Sequence, residues 1–304
     1  MGKLINPADG ELLRDVPDTP VAEVAAAVRR ARAAYEEWSR ATPAERAKVM
    51  LRFADLVEAD AEELTRLEVA ETGKPAAVFR DGELPFAADN LRFFAGAARS
   101  LDGTGAGVLS SGYTSVLVRR PVGVVGSIAP WNFPLVMAIW KIGPALAAGN
   151  AVVVKPAPQT PGTTLRLAEL FAGAGAPEGL LQVVLGDAEV GEALVTDPGV
   201  DMVSVTGSTE TGRAVMRGAA GSLKRVHLEL GGKARRWSSA TRTWPRWPGG
   251  WPWARPTTPV RTARPPPAST SPARCTARPS TPFMRRWRRS RRATPGTRRP
   301  TSAR

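Results

Sequence analysis

The sequence has few of the residues that carry most metal and nucleophilic chemistry. Its 304 residues include one Cys, one His and two Tyr. A single Cys excludes an intramolecular disulfide, and a lone His with no partner ligands in its segment argues against a metal site. A long apolar run is also missing: the most apolar stretch, 121–154, is broken by Pro, Asn, Lys and Gly well short of a membrane span. The first residues, MGKLINPADGELL, lack the basic-then-apolar order of a secretory signal. The expectation is a cytoplasmic chain with no membrane partner.

A second absence is local. Residues 235–304 contain 18 Arg but no Lys, Asp, Glu, Leu, Ile, Tyr, Asn, Gln or His. The whole-chain charge of +14 therefore belongs to that segment, and residues 1–234, with 24 basic and 28 acidic side chains, are mildly acidic. Six of the nine Trp and 13 of the 28 Pro also fall after Ala234. Without Leu or Ile those Trp residues have no core to join, so a disordered tail is expected there. Residues 1–234 are long enough for an α/β domain with its own core.

Residues 5–17 alternate short apolar runs with Asn-Pro and Asp-Gly turn signals, which predicts a small strand pair. From Thr19 and Pro20, the positions Val21, Val24, Val28, Ala31, Tyr35 and Trp38 recur at helical spacing up to residue 40. Residues 42–75 predict two more helices, opened by a capping box of Thr42 and Glu45 and stopped by Gly73 and Pro75. A further helix is expected over 84–101. Residues 112–130 turn to period two and β-branched side chains, which predicts strands. Apolar runs follow at 148–158, 180–186 and 200–208, alternating with helical segments at 135–148, 160–173, 188–196 and 210–220. Buried strands alternating with helices predict an α/β fold with a doubly wound parallel sheet, and such sheets bind ligands at the carboxyl ends of their strands.

Four strand ends carry chemistry. Asn132, after Trp131, stands just ahead of a helix, where its amide could donate into a cleft or merely cap the helix. Lys155 is a lone cation in VVVKPAPQTP, either functional or simply solvated. TGSTETG, residues 206–212, with Gly207, Ser208 and Gly212, could hold phosphate on backbone N–H groups or be an ordinary capped helix start. Glu229 lies on a strand in HLELGGKA, as an acid or base or as a salt-bridge partner. His227 reads as a strand residue rather than a metal ligand. Each feature is unspecific alone.

In order and at these separations, PWNFP, ALAAGNAVVVKPA, TGSTETG and LELGGKA resemble the aldehyde dehydrogenase superfamily over residues 5–234. FFAGAARSL, GYTS and SIAPWNFPLVMAIWKIGPALAAGN look closest to its aminobutyraldehyde dehydrogenases, which oxidise ω-aminoaldehydes such as 4-aminobutanal. The resemblance implies a cofactor domain whose N-terminal helical part is 1–111, with the start of an oligomerisation strand region at 112–122 and the NAD(P)-binding α/β part at 123–234. Trp131 and Lys155 would line the NAD or NADP site, and Gly207, Ser208 and Gly212 would hold its pyrophosphate. Asn132 would donate to the oxyanion and Glu229 would activate the hydrolytic water. The implied partners are a small aldehyde and further copies of the chain, though this chain would lack much of that interface, and no specific nucleic acid is expected. The family's Lys-Pro-Ser-Glu run is here Lys155-Pro156-Ala157-Pro158, and Pro158 offers no acceptor to the ribose hydroxyls, which leaves NAD and NADP both open.

The family's nucleophile is a Cys some thirty residues after LELGGK, and Cys275, in PARCTARPS, matches neither the distance nor the surroundings. Codon arithmetic accounts for this. If the tail is read one base out of register, the first two bases of each tail codon are the last two of an original codon. TTPVRTARPPPAST, Thr257 to Thr270, then permits YNAGQDCTAATRVY, which resembles the catalytic-cysteine motif. Its TGC codon is split between Thr262 and Ala263. A one-base shift near codon 234 explains the lost acids, the Arg and Pro excess and the misplaced Cys together, and it implies a truncated, inactive dehydrogenase. The alternative is a genuine Arg-rich tail on a nucleotide-binding remnant, with RRWRRSRR at 285–292 binding nucleic acid without sequence preference.

Overall fold

The computed structural model describes residues 2–101, 103 and 105–232. The tail, Cys275 and the segment assigned to a frame shift all lie outside these residues.

A two-stranded antiparallel pair, β1 (Gly2–Ile5) and β2 (Leu12–Val16), opens the chain, as the turn signals predict. Helices α1 (Val21–Trp38), α2 (Pro43–Ala59) and α3 (Ala61–Thr72) follow. The capping box at α2 is formed: Thr42 Oγ1 accepts from Glu45 N at 3.3 Å, and the Glu45 carboxylate accepts from Thr42 N at 2.7 Å. Gly73 ends α3 in the left-handed conformation, φ 70°, which only glycine adopts without cost. Thr19 caps nothing; its Oγ1 instead accepts from Leu185 N at 2.8 Å, tying the entrance of α1 to the sheet. Val21 is exposed, and the buried stripe of α1 is Val24, Ala27, Val28, Ala31, Ala34 and Trp38. A short turn, α4 (Ala76–Val78), passes through a π-helical turn at Phe79–Glu83 into α5 (Leu84–Ala98).

The strands expected over 112–130 are only partly present. β3 (Gly107–Ser110) pairs with β4 (Tyr113–Ser115), and β5 (Val124–Ile128) begins the main sheet. Residues 116–123 join no strand, because a β-patterned segment needs a pairing partner and none of the described residues supplies one. The chain then alternates as predicted: α6 (Pro134–Ala147), β6 (Ala151–Lys155), α7 (Gly162–Gly173), β7 (Leu181–Val183), α8 (Ala188–Thr196), β8 (Met202–Gly207), α9 (Thr209–Ala220) and β9 (Arg225–Leu230).

The five-stranded sheet is parallel throughout, in the order β7-β6-β5-β8-β9. Winding leftward from β5 and then rightward through β8 places α6 and α7 on one face and α8 and α9 on the other, since such crossovers are right-handed. The chain therefore reverses between β5 and β8, and the crevice at their carboxyl ends is where a doubly wound sheet binds ligand. β5 and β6 are buried almost throughout, with Val124, Val152, Val153 and Val154 in the same core as Phe53, Leu91, Ile139 and Leu167. Among the described residues no helix is long and apolar enough to cross a membrane, and no group of His, Cys, Asp and Glu is placed to hold a metal.

Candidate active site

The register fixes which residues share the sheet's upper edge. Ile128 of β5 pairs with Lys155 of β6 and with Val205 of β8, and Val205 pairs with Leu228 of β9. Side chains alternate along a strand, so residues in this row point to the α8 and α9 face, and their successors point to the α6 face. Lys155 lies in that row: its Cδ would be 3.6 Å from a Cβ on Gly191 of α8. Glu229 is the residue after Leu228 and points to the α6 face.

Lys155 is not solvated. It is 5% exposed, and Nζ donates to Pro156 O at 3.2 Å. Burial pushes its ammonium below the usual lysine range, against the opposing pull of Asp187 and Asp18. It is a desolvated cation at a strand end with one carbonyl partner, and it can still donate to a ligand.

Asn132 sits in the bend between β5 and α6, at the reversal point. The N-cap of α6 is Phe133, with no side-chain cap bond, so Asn132 does not serve as the cap. Among the described residues its amide has no hydrogen-bond partner, which leaves both N–H groups available to a ligand. Trp131 beside it is exposed. The bend is held from below by Lys74, whose Nζ lies 5.0 Å from the centre of the Phe133 ring. Lys74 itself bridges Glu68 at 2.9 Å and Glu83 at 2.6 Å, and Thr163 Oγ1 donates to Glu68 at 3.0 Å. Burial raises the carboxyls of both Glu68 and Glu83, against the lowering pull of Lys74. Nothing in the spacing of these residues betrays the cluster, because Lys74 and Thr163 come from separate elements.

Across the crevice, Ser208 is the N-cap of α9, its Oγ accepting from Thr211 N at 3.0 Å. Its helix start is thus an ordinary capped one, which leaves the next backbone N–H groups outside the helical ladder. Gly207 and Gly212 differ in why they lack a side chain. A Cβ on Gly212 would come within 2.6 Å of the Leu230 side-chain tip, so glycine lets α9 pack close on β9 without moving that leucine. A Cβ on Gly207 would meet nothing nearer than Thr211 at 3.6 Å, so the chain's own packing leaves that space open.

Glu229 is 65% exposed, and His227 Nε2 lies 3.3 Å from its Oε1. On the same face, His227 Nδ1 is 3.0 Å from Ser204 Oγ, which in turn is 3.3 Å from Lys141 Nζ of α6. Lys141 is 5% exposed, and burial pushes its pKa down to about 8, with the Glu229 charge opposing the shift. The sequence reading missed Lys141, although one charge in the apolar run PLVMAIWKIGPALA was a visible signal. The register thus puts Lys155 and Gly207 toward α8 and α9, with Ser208 opening α9, and His227 and Glu229 toward α6, while Asn132 lies in the bend after β5.

Known proteins share this fold and sequence. The model of the aldehyde dehydrogenase family matches residues 2–236. The chain is 49% identical over 240 residues to a phenylacetaldehyde dehydrogenase of Pseudomonas fluorescens, an overlap of 75% of this chain and 47% of that protein. It is 49% identical over 232 residues to an aminoacetaldehyde dehydrogenase of Pseudomonas aeruginosa, with the same shares covered. A solved NAD+ complex of an aldehyde dehydrogenase from Bacillus cereus superposes with a TM-score of 0.74 at 43% identity, covering 76% of this chain and 48% of that one. The chain spans about half the length of the curated relatives it matches. With a parallel sheet of this order and a family match over residues 2–236, the chain belongs to the aldehyde dehydrogenase family.

Proposed function

We propose that the gene encodes an NAD(P)+-dependent dehydrogenase that oxidises an aldehyde, of the ω-aminoaldehyde class such as 4-aminobutanal, to its carboxylic acid. The observation that carries this reading is the amide of Asn132, without a hydrogen-bond partner among the described residues, in the bend after β5 at the same carboxyl edge of the sheet that carries Glu229. An amide preorganised to donate stabilises the oxyanion that develops as an aldehyde is attacked, an effect of roughly 3–4 kcal/mol for one donor. Glu229 accepts the proton of the water that releases the acyl group.

The residues present fit a dinucleotide. Lys155 offers a desolvated donor to a ribose hydroxyl, Gly207 leaves room for a close approach, and Ser208 and the first turn of α9 offer backbone N–H groups, with Gly212 keeping α9 tight on β9. Trp131 forms an exposed wall. The nicotinamide, when bound, supplies the hydride acceptor. The aminoaldehyde class rests on the motifs quoted above and is supported by the aminoacetaldehyde dehydrogenase among the relatives. Exposed Val108, Leu109, Tyr113, Val116, Leu117 and Val118 around β3 and β4 form an apolar patch suited to contact with further copies of the chain in the cytoplasm.

In the frame as translated, Cys275 does not stand where the family's thiolate does, so this chain is expected to bind cofactor without turning over aldehyde. Resequencing codons 225–304 from source DNA tests this. An added or lost base near codon 234 restores the cysteine motif, and the repaired enzyme should then oxidise 4-aminobutanal. An intact frame favours the second reading, which rests on the 18 Arg and the absence of acids in 235–304. Deleting those residues should then abolish salt-dependent RNA or DNA binding.

A further inference from the structure

On the α6 side of the sheet, three neighbouring strands carry a polar row among otherwise apolar side chains. Ser127 of β5 pairs in register with Ser204 of β8, and Ser204 pairs with His227 of β9, so all three point to one face. Lys141 reaches this row from α6. Four groups then form a line from the interior to the end of β9: Lys141 Nζ to Ser204 Oγ at 3.3 Å, Ser204 Oγ to His227 Nδ1 at 3.0 Å, and His227 Nε2 to Glu229 Oε1 at 3.3 Å. The other hydroxyls on this face, Ser127 Oγ and Thr206 Oγ1, are buried without hydrogen-bond partners, so neither draws Ser204 or the ring away.

The donor inventory gives this line a direction. An ammonium has three protons and no lone pair, so Ser204 Oγ accepts from Lys141. The second lone pair of Ser204 could take an Nδ1–H as well, but its single hydroxyl proton is free to go to His227 Nδ1, and in that arrangement Nδ1 accepts. A neutral imidazole that accepts at Nδ1 carries its proton on Nε2, the nitrogen facing Glu229. We propose that His227 is a positioning residue for Glu229, fixed in the Nε2–H form by Ser204 and Lys141 so that it turns its Nε2–H edge toward the Glu229 carboxylate, 3.3 Å away, and holds it on the α6 face. The role rests on the reading of Glu229 as the base. An undirected surface contact between an imidazole and a carboxylate would not depend on a serine one strand away.

The chain contains one His, so its ring signals need no assignment. The full chain labelled with 15N in histidine is studied by NMR near neutral pH, in solution or, if it associates, by magic-angle spinning. The neutral ring should show a protonated Nε2 and a hydrogen-bonded, pyridine-like Nδ1. Ser204→Ala should shift the Nδ1 signal to that of a free pyridine-like nitrogen and move Nε2 little. Glu229→Ala should do the reverse, and Lys141→Met should move Nδ1 in the same direction as Ser204→Ala but less. A ring protonated at Nδ1, or an Nδ1 signal that Ser204→Ala leaves in place, overturns the proposal. The ring reports these bonds whether or not Glu229 acts on an acyl group. Loss of Glu229's role in the repaired enzyme, where Glu229→Gln would then leave acyl release intact, is therefore a separate result.

Discussion

Lys155 and Glu229 stand at the carboxyl edge of one parallel sheet but on opposite faces of it. Lys155 shares its row with Ile128, Val205 and Leu228, and Glu229 follows Leu228. Three strand spacings, roughly 15 Å, separate the two strands that carry them. The two faces differ in charge: a buried cation lies toward α8, and an exposed carboxylate lies toward α6. Under the proposed function, the first would meet the cofactor and the second the acyl group.

That separation has a direct consequence for cofactor affinity. Lys155→Met removes a desolvated donor, and a charge-assisted hydrogen bond contributes about 1.5–3 kcal/mol. NAD+ and NADP+ binding to the chain, followed by quenching of tryptophan fluorescence, should weaken roughly 10- to 100-fold. Glu229→Gln, on the other face, should leave both affinities unchanged. Equal losses in the two variants would mean that the two faces are not distinct.

Pro158 is the position at which the choice between cofactors is expected to turn. It follows Lys155 by three residues and has neither an N–H nor a side-chain acceptor. Pro158→Glu would add an acceptor for the ribose hydroxyls and a negative charge that repels a 2′-phosphate. The ratio of NADP+ to NAD+ dissociation constants should rise about 10-fold or more. An unchanged ratio would show that Pro158 does not face the ribose.

Local signals were legible where a single segment decides the outcome. The Thr42–Glu45 box, the Gly73 stop and the buried valines of β6 each act within a few residues, and each formed as read. Strand pairing is not local: Val116, Leu117 and Val118 have β character but find no partner among the described residues. The functional strand ends could be listed, but not which face each would occupy, since that follows from register between strands far apart in the chain. The line from Lys141 to Glu229 is the clearest case, because Lys141 and Ser204 are 63 residues apart and Ser204 and His227 are 23 apart. No spacing rule links them.

The cluster beneath Phe133 should dominate stability. Lys74 is nearly buried between Glu68, which is fully buried, and Glu83. Removing one partner of a buried pair strands the remaining charge and commonly costs about 3–5 kcal/mol. Lys74→Met should therefore lower the urea midpoint sharply, whereas Lys74→Met combined with Glu68→Gln should recover part of the loss. Additive losses in the double variant would show that Glu68 and Lys74 do not act as a pair.

Lys141 gives the sheet a pH dependence of predictable sign. Its folded pKa, about 8, is below the ordinary 10.5, because burial penalises the ammonium. Between those values the unfolded chain holds a proton that the native state has released, so native stability rises with pH across that window. Above 10.5 the penalty is absent, and as the pH falls through 8 it is present in full, about 3 kcal/mol for a displacement of this size. Lys155 and Lys224 are also held low by burial, so the slope of the wild-type chain alone is a composite. The difference between wild type and Lys141→Met isolates the one group. Urea unfolding at pH 7 and pH 10 should find the methionine variant the more stable at the lower pH, with the gap closing by about 2–3 kcal/mol at the higher one. A gap that does not change with pH would mean that the Lys141 ammonium is solvated in the native state.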